Sequence, residues 1–320
     1  MTILRSMRRF FAGRGRPSSR RALRHQTALF QTTRVVVRCY YVALLFFAAA
    51  TMDDWPSYLD RMEALPLWPV DWVRLVPLRA GVLGILTGYL ATTFLGAVFS
   101  HQRWARSLAF LGLLEFVALE NSFGKINHAH HLWVLTGFLL VFLPDVTGPS
   151  TDRATRQRFL TVFWACQALT LLTYTMSGLG KVVCAVYQVC AGQNNILMPS
   201  GLATLIASRL LQTSSTSWLG PWLIAHPWFG WPLGLASIYV EFFAFWIAFR
   251  PMLLRWWAAA LILFHIMVFV CMAIGFMPVV LLLGLLFLGA PPCPEERSLL
   301  DAARQLPALS LVLRRPLRGL

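Results

Sequence analysis

Eight apolar runs separated by short, arginine-bearing gaps are the feature that most limits what this chain can become. They cover residues 35–52, 80–100, 107–121, 130–144, 159–177 (running on towards 187), 230–249, 256–276 and, shorter, 278–290. A helix that crosses a bilayer needs about 20 mostly apolar residues, and in lipid the backbone must satisfy its own hydrogen bonds. Only 13 % of the residues are charged, where soluble domains carry about 25 %. The mean hydropathy is +0.62. The expected fold class is therefore all-α: a polytopic integral membrane protein with about eight transmembrane helices. No internal repeat and no soluble domain is evident.

The formal charge of +15 suggests nucleic acid as a partner, but the placement of the charge argues against it. Ten arginines lie between Arg5 and Arg38, and most others fill gaps between apolar runs. Cytoplasmic flanks of membrane helices carry such an excess of Lys and Arg. With the N-terminus inside, the inner connections hold Arg103 and Arg106; Arg153, Arg156 and Arg158; Arg250 and Arg255; then Arg304, Arg314, Arg315 and Arg318. The outer connections hold Asp53, Asp54, Asp60, Glu63 and Asp71 against Arg61, Arg74 and Arg79, and residues 179–229 carry only Lys181 and Arg209. Charge thus agrees with eight helices and two cytoplasmic termini at every turn. The expected location is an integral membrane protein of a bacterial inner (plasma) membrane, with the lipid bilayer as its first partner.

Three parts follow. Residues 1–34 read as a basic cytoplasmic tail able to lie on anionic headgroups. Residues 35–290 form the transmembrane domain, and 291–320 a cytoplasmic C-terminal tail. The Arg-rich start lacks a short apolar core and cleavage site, so it is not read as a signal peptide; a mitochondrial presequence is the minority reading. Two outer segments look like caps. Residues 53–79 contain Trp55, Trp68 and Trp72 among four prolines. Residues 192–229 carry one helical pattern, Leu202, Leu205, Ile206 and Leu210, expected to lie on or dip into the outer leaflet. The six cysteines read mostly as small packing residues. Cys184 and Cys190 are near enough in sequence for a disulfide to be considered, although spacing alone does not establish one.

Chemistry-bearing residues concentrate in a few places. The stretch 120–144 begins with Glu120, Asn121, Lys125, Asn127, His128, His130 and His131, then turns wholly apolar. The histidines have three readings: metal ligands, interface residues without a role, or groups for hydrogen bonding and proton transfer at a pocket. No metal is expected, since no cysteine or carboxylate at ligand spacing joins them. Lys181 sits in the otherwise uncharged stretch 174–187, either reaching to the headgroups or held near apolar neighbours as an amine that can take a proton. Glu115 and Glu120, five apart, do not share a helix face. Glu241 and His265 stand alone in apolar runs, where ionisable groups face a bundle interior and a partner. A phosphate loop, a nucleophile elbow and a dinucleotide fingerprint are absent.

Three segments together resemble a known family. Asn127-His128 ahead of an apolar helix ending at Pro144 is similar to its Asn-His-x-x-Leu helix. Tyr174-Thr-Met-Ser-Gly-Leu-Gly-Lys181 resembles its Tyr-Phe-x-Ala-Gly-x-x-Lys segment, and Pro199-Ser-Gly-Leu-Ala203 fits the Gly-x-Ala step that follows. Phe264-His265-Ile-Met267 and Ile274-Gly-Phe-Met-Pro278 are similar to its Phe-His-x-Met and Ile-Gly-Met-Phe-Pro signature. The family is the HTTM (horizontally transferred transmembrane) domain, related to the membrane domain of vitamin K-dependent gamma-carboxylase. The resemblance implies an enzyme of quinol-dependent carboxylase (lyase) type, with reduced vitamin K or menaquinol as cofactor. It also implies Lys181 as the base, His128 orienting or stabilising a substrate oxyanion, and Asn127, His131, Tyr174, Glu241 and His265 around the pocket, with His265 and Glu241 supporting it together. The carboxylase has Lys-Lys-Leu-Asp where this chain reads Gly180-Lys181-Val182-Val183, and its large soluble region has no counterpart here. The expected acceptor is thus a small molecule or an exported protein rather than one bound through a propeptide. The alternative is a non-enzymatic membrane component of a redox or export system; a small-molecule transporter is disfavoured because no pair of broken central helices recurs in the two halves.

Overall fold

The computed structural model describes residues 20–53, 56, 65–124, 126–146, 152–289 and 306–307. The basic segment ahead of residue 20, Trp55, Lys125, Cys293 and nearly all of the C-terminal tail lie outside the described residues. Among the described residues the fold is all-helical, with no strand. In chain order the helices are α1 (Arg20–Asp53), α2 (Leu78–Val98), α3 (Arg103–Asn121), α4 (His131–Leu140), α5 (Arg153–Cys190), α6 (Gly201–Thr213), α7 (Gly220–Ala225), α8 (Pro227–Phe242), α9 (Ala244–Ile247), α10 (Leu254–Met272) and α11 (Met277–Leu283). Short 3-10 turns cover Asp71–Leu75 and His128–His130, and a π-helical turn, Gly284–Leu288, continues α11.

Four helices are long and apolar enough to cross a membrane: Gln26–Asp53 within α1, then α2, α5 and α10. The other expected spans are helices of a different kind. α3 has the length but carries Arg103, Arg106, Glu115 and Glu120. α4 holds 10 residues, and the expected 230–249 span is broken at Phe243 into α8 and α9. α11 with its π-turn is a shorter apolar helix.

The described residues divide into two compact units, Gln26–Gln167 and the part from Ala168 onwards with the start of α1. In the first unit, Tyr40 stacks on Trp133 with centroids 5.0 Å apart and donates its hydroxyl to the Trp133 carbonyl at 2.6 Å. Tyr89 lies parallel to Phe116 at 4.7 Å. Leu44, Ile85, Leu86 and Leu113 complete this core, all fully buried. Threonines in α2 return their hydroxyls to carbonyls one turn back, Thr93 to Tyr89 at 2.7 Å, so these hydroxyls are satisfied within their own helix. Arg106, which the charge pattern assigns to a cytoplasmic connection, is buried. Its guanidinium donates to the carbonyls of Ser100 (3.0 Å) and Leu143 and to Asp145 Oδ1 (3.0 Å), tying the start of α3 to the end of the α4 segment.

In the second unit, α6, α7 and the end of α10 close around Ile206, Leu223, Cys271 and Met272. The pattern expected at Leu202–Leu210 is therefore α6, with Ile206 buried and Leu205 exposed. Ser217 donates its hydroxyl to the Cys271 carbonyl at 2.8 Å and Leu219 its amide to Val270 at 3.1 Å, fixing the α6–α7 link on α10. The break after α8 is bridged from α5: Thr175 Oγ1 accepts the Phe245 amide at 2.8 Å and donates to the Glu241 carbonyl at 3.4 Å.

Candidate functional site

In the first unit the sequence stretch around the histidines folds into one hydrogen-bonded network. α3 ends at Asn121, and the chain reverses through Gly124, whose φ of +83° favours a residue without Cβ. Asn127 then caps the His128–His130 turn, its Oδ1 accepting the Ala129 amide at 3.0 Å. That contact leaves Nδ2 to donate, which it does to Glu120 Oε1 at 2.8 Å. The other carboxylate oxygen, Oε2, accepts from His130 Nδ1 at 3.1 Å, with both side chains largely buried. His130 is edged by Phe47 and Phe116.

Backbone amides also fix the remaining proton positions. Asn121 Oδ1 accepts the Asn127 amide at 2.6 Å, so its Nδ2 faces His131 Nε2 at 3.4 Å and donates to it. His131 therefore carries its hydrogen on Nδ1, which lies 3.2 Å from His128 Nδ1. His128 Nδ1 accepts, and its proton sits on Nε2. Since His128 is exposed, this chain of assignments leaves one N–H donor available at the surface.

The second cluster lies in the second unit, where α5 meets α8 and α10. Tyr174, Ser177 and Lys181 recur at i, i+3 and i+7 and so share one face of α5. Lys181 Nζ bonds Glu241 Oε2, and Ser177 Oγ donates to Oε1 at 3.5 Å. The Glu241 side chain is 4 % exposed and that of Lys181 32 %. Lys181 Nζ also sits over the Phe264 ring, 5.4 Å from its centre. One residue on, His265 Nε2 lies 2.6 Å from the Tyr174 hydroxyl, and the imidazole is flanked by Phe264 and Phe276 with centroids 5.1 Å away. This meeting depends on Gly178: a Cβ there would stand 2.7 Å from Phe242 Cα and 2.9 Å from Glu241 C, so only glycine lets α5 come this close to α8. Each assembly can store or pass a proton. The lysine–glutamate contact has the geometry of a hydrogen bond whether the shared proton is written on nitrogen or on oxygen.

The structure brings Asn127, His128 and His131 together in the first cluster, and Tyr174, Lys181, Glu241 and His265 in the second; the two belong to different units. Glu241 and His265, expected to support one pocket, each pair with α5, one with Lys181 and the other with Tyr174. Glu120, Asn121 and His130 complete the first network. Glu120 is the carboxylate that sequence spacing did not connect to the histidines, because it reaches them only when the chain reverses at Gly124. Glu115 is half-buried on α3. Cys184 and Cys190 are both free thiols. Six residues apart on one straight helix, they are separated by a rise of about 9 Å, beyond the reach of a disulfide. Among the described residues no group of three or more His, Cys, Asp or Glu side chains is arranged to hold a metal ion. No family model, curated protein or solved structure matches the chain.

Proposed function

We propose that this chain is a polytopic membrane protein of about eight helices with both termini cytoplasmic. We further propose that it is an HTTM-type, carboxylase-like enzyme using Lys181 as a base towards a quinol such as reduced vitamin K or menaquinol. One observation carries the reading. Lys181 turns onto a buried carboxylate and an aromatic face beside the Tyr174–His265 pair. Ionisable side chains amid apolar helices cost free energy and mark sites of function. The charge pattern of the connections supports the topology.

The residues fit a planar ring that bears oxygen. Among the described residues nothing hydrogen-bonds the buried His265 Nδ1, which lies among aromatic rings. If His265 donated Nε2–H to Tyr174, both Nδ1 and the phenol hydrogen would lack partners. With Tyr174 donating, a single Nδ1–H is left to hold a ligand oxygen. A bound quinol would supply the reducing equivalents. Lys181 would take a proton from an acidic hydroxyl, and Phe264 and Phe276 would keep water away. His128, through its outward Nε2–H, suits the stabilisation of a substrate oxyanion. A second reading, a non-enzymatic membrane component, draws on the completeness of the Lys181–Glu241 pair, which would also serve simply to hold α5 on α8.

Thermal unfolding of the detergent-purified protein with and without menaquinol tests the proposal, alongside oxygen uptake by wild type and Lys181→Ala. Binding to the folded state raises the midpoint by mass action. Stabilisation by quinol, with oxidation lost in Lys181→Ala, is the expected outcome. No stabilisation and no oxygen uptake would overturn the enzymatic reading and favour the second.

A further inference from the structure

We infer that Glu241 is a positioning residue that holds and returns the Lys181 proton, so that the lysine becomes a base by internal transfer rather than by losing a proton to solution. The inference rests on the reading of Lys181 as a base. A base must be unprotonated, yet Lys181 is hydrogen-bonded to a carboxylate. Moving one proton resolves this. The N–H bond at Nζ breaks, an O–H bond at Glu241 Oε2 forms, and the hydrogen bond survives with donor and acceptor exchanged. The pair carries zero net charge before and after.

Two opposing influences keep both forms within reach. Glu241 is almost fully removed from solvent, and burying two charges carries a desolvation cost that the neutral pair avoids. Against this, the Phe264 face beneath Nζ and the Ser177 hydroxyl on Oε1 favour the charged pair. The other titratable groups facing the pair are His265 on α10 and Tyr174 on α5. Their mutual hydrogen bond occupies His265 Nε2 and the phenol, so neither competes for the proton between Nζ and Oε2. Lys181 is one-third exposed, which lets a substrate reach the amine.

Internal transfer has a signature that a merely structural pair lacks. The ratio of the two forms contains no proton from solution, so it does not change with pH. The chain has only two lysines, Lys125 and Lys181, which makes amine acylation a clean measurement. Protein in lipid nanodiscs would receive brief pulses of acetic anhydride between about pH 6 and about pH 8, with both sites quantified by mass spectrometry; a solution-titrating amine gains about tenfold in rate per pH unit there. Lys181 is expected to change less than about twofold across that range while a lysine peptide added to the solution rises with pH. In Glu241→Gln the internal acceptor is gone, so the Lys181 amine forms only by losing a proton to solution and its rate should rise with pH as that of a dissolved amine does. Glu241→Asp should restore the flat profile.

A Lys181 profile as steep as that of a lysine peptide in solution, no acylation of Lys181 at any pH, or a flat profile in Glu241→Gln would each overturn the inference. Should Glu241→Gln fail to fold, the wild-type profile decides alone. A flat profile without quinol oxidation would sink the proposed enzyme and leave this proton exchange standing. Lys181-dependent oxidation with a steep profile would do the reverse.

Discussion

The two polar clusters are built on opposite principles. The Glu120–His131 network is assembled from twelve consecutive residues, and its proton positions are fixed by the Asn127 and Ala129 backbone amides. The Lys181 cluster gathers side chains up to 91 residues apart from three helices, and its hydrogen bonds run between side chains. Local construction gives directional certainty at small stability cost, because a turn that forms at all brings its own acceptors. Long-range construction gives burial, and with it strong electrostatic coupling, but only while the helices stay in contact.

Breaking the long-range cluster should therefore produce the largest effects. Lys181→Ala leaves the Glu241 carboxylate buried without its partner, and because Lys181 is partly exposed the cost should sit near the low end for such pairs, about 3 kcal/mol. Replacing both partners, Lys181→Met with Glu241→Leu, should recover most of that loss, since a buried apolar pair avoids the desolvation of two charges. Unfolding free energies in mixed micelles would measure both. Equal destabilisation by single and double variants would show that packing, and not the uncompensated charge, sets the cost.

Gly178→Ala tests the same cluster without touching a charge. The new Cβ would press on the backbone at Glu241 and Phe242, and overpacking of this kind costs about 1–3 kcal/mol. Separating α5 from α8 should also expose Lys181, giving it the pH-dependent acylation of a surface lysine. A variant of unchanged stability and unchanged acylation would mean that the close approach at Gly178 is not what joins the pair.

The same contrast explains what the sequence could reveal. Hydrophobic runs and their flanks disclose an all-helical chain and place both ends of α2 and α10 and the last residue of α1 to within a few residues, because long apolar stretches write themselves as composition; the starts of α1 and α5 lie further out, at Arg20 and Arg153. The first cluster is visible as polar residues crowded into 120–131, but its order is not: Glu120 joins His130 only through the reversal at Gly124. In the second, Lys181, Glu241 and His265 each stand out as ionisable groups in apolar surroundings. Their pairing is illegible, since Gly178 and the break at Phe243 decide which side chains meet, and neither carries a charge. The i, i+3, i+7 spacing of Tyr174, Ser177 and Lys181 was the one readable hint that all three share a face.

Local construction makes smaller and sharper predictions. Asn127→Ala removes the cap of the His128–His130 turn and one partner of Glu120, a loss of about 1 kcal/mol. Its clearest effect should be faster hydrogen exchange at the Ala129 amide. Unchanged exchange there would contradict the assignment of Asn127 Oδ1 as acceptor, and with it the orientation that leaves Nδ2 facing Glu120.

The smallest effect lies at the start of α5, where Asp152 makes a second locally anchored carboxylate. Its Oδ2 accepts the amides of Ala154 at 3.0 Å and Thr155 at 3.1 Å, the donors that a helix N-terminus leaves unpaired. Hydrogen bonds from Thr155, its hydroxyl first and its amide next, hold the Asp152 acid below the ordinary carboxylate value. A folded-state value lowered in this way means that the cap contributes fully above the unfolded value and is lost as pH falls through the folded one. The first turn of α5 should thus loosen only below about pH 4. Asp152→Asn keeps an acceptor in the same place and has no proton to gain, so the ratio of exchange rates at Ala154 and Thr155 between wild type and variant should shift in acid and stay level above it. A ratio independent of pH would show that the cap works without the carboxylate's charge, and local anchoring would then fix direction alone, as it does at Asn127.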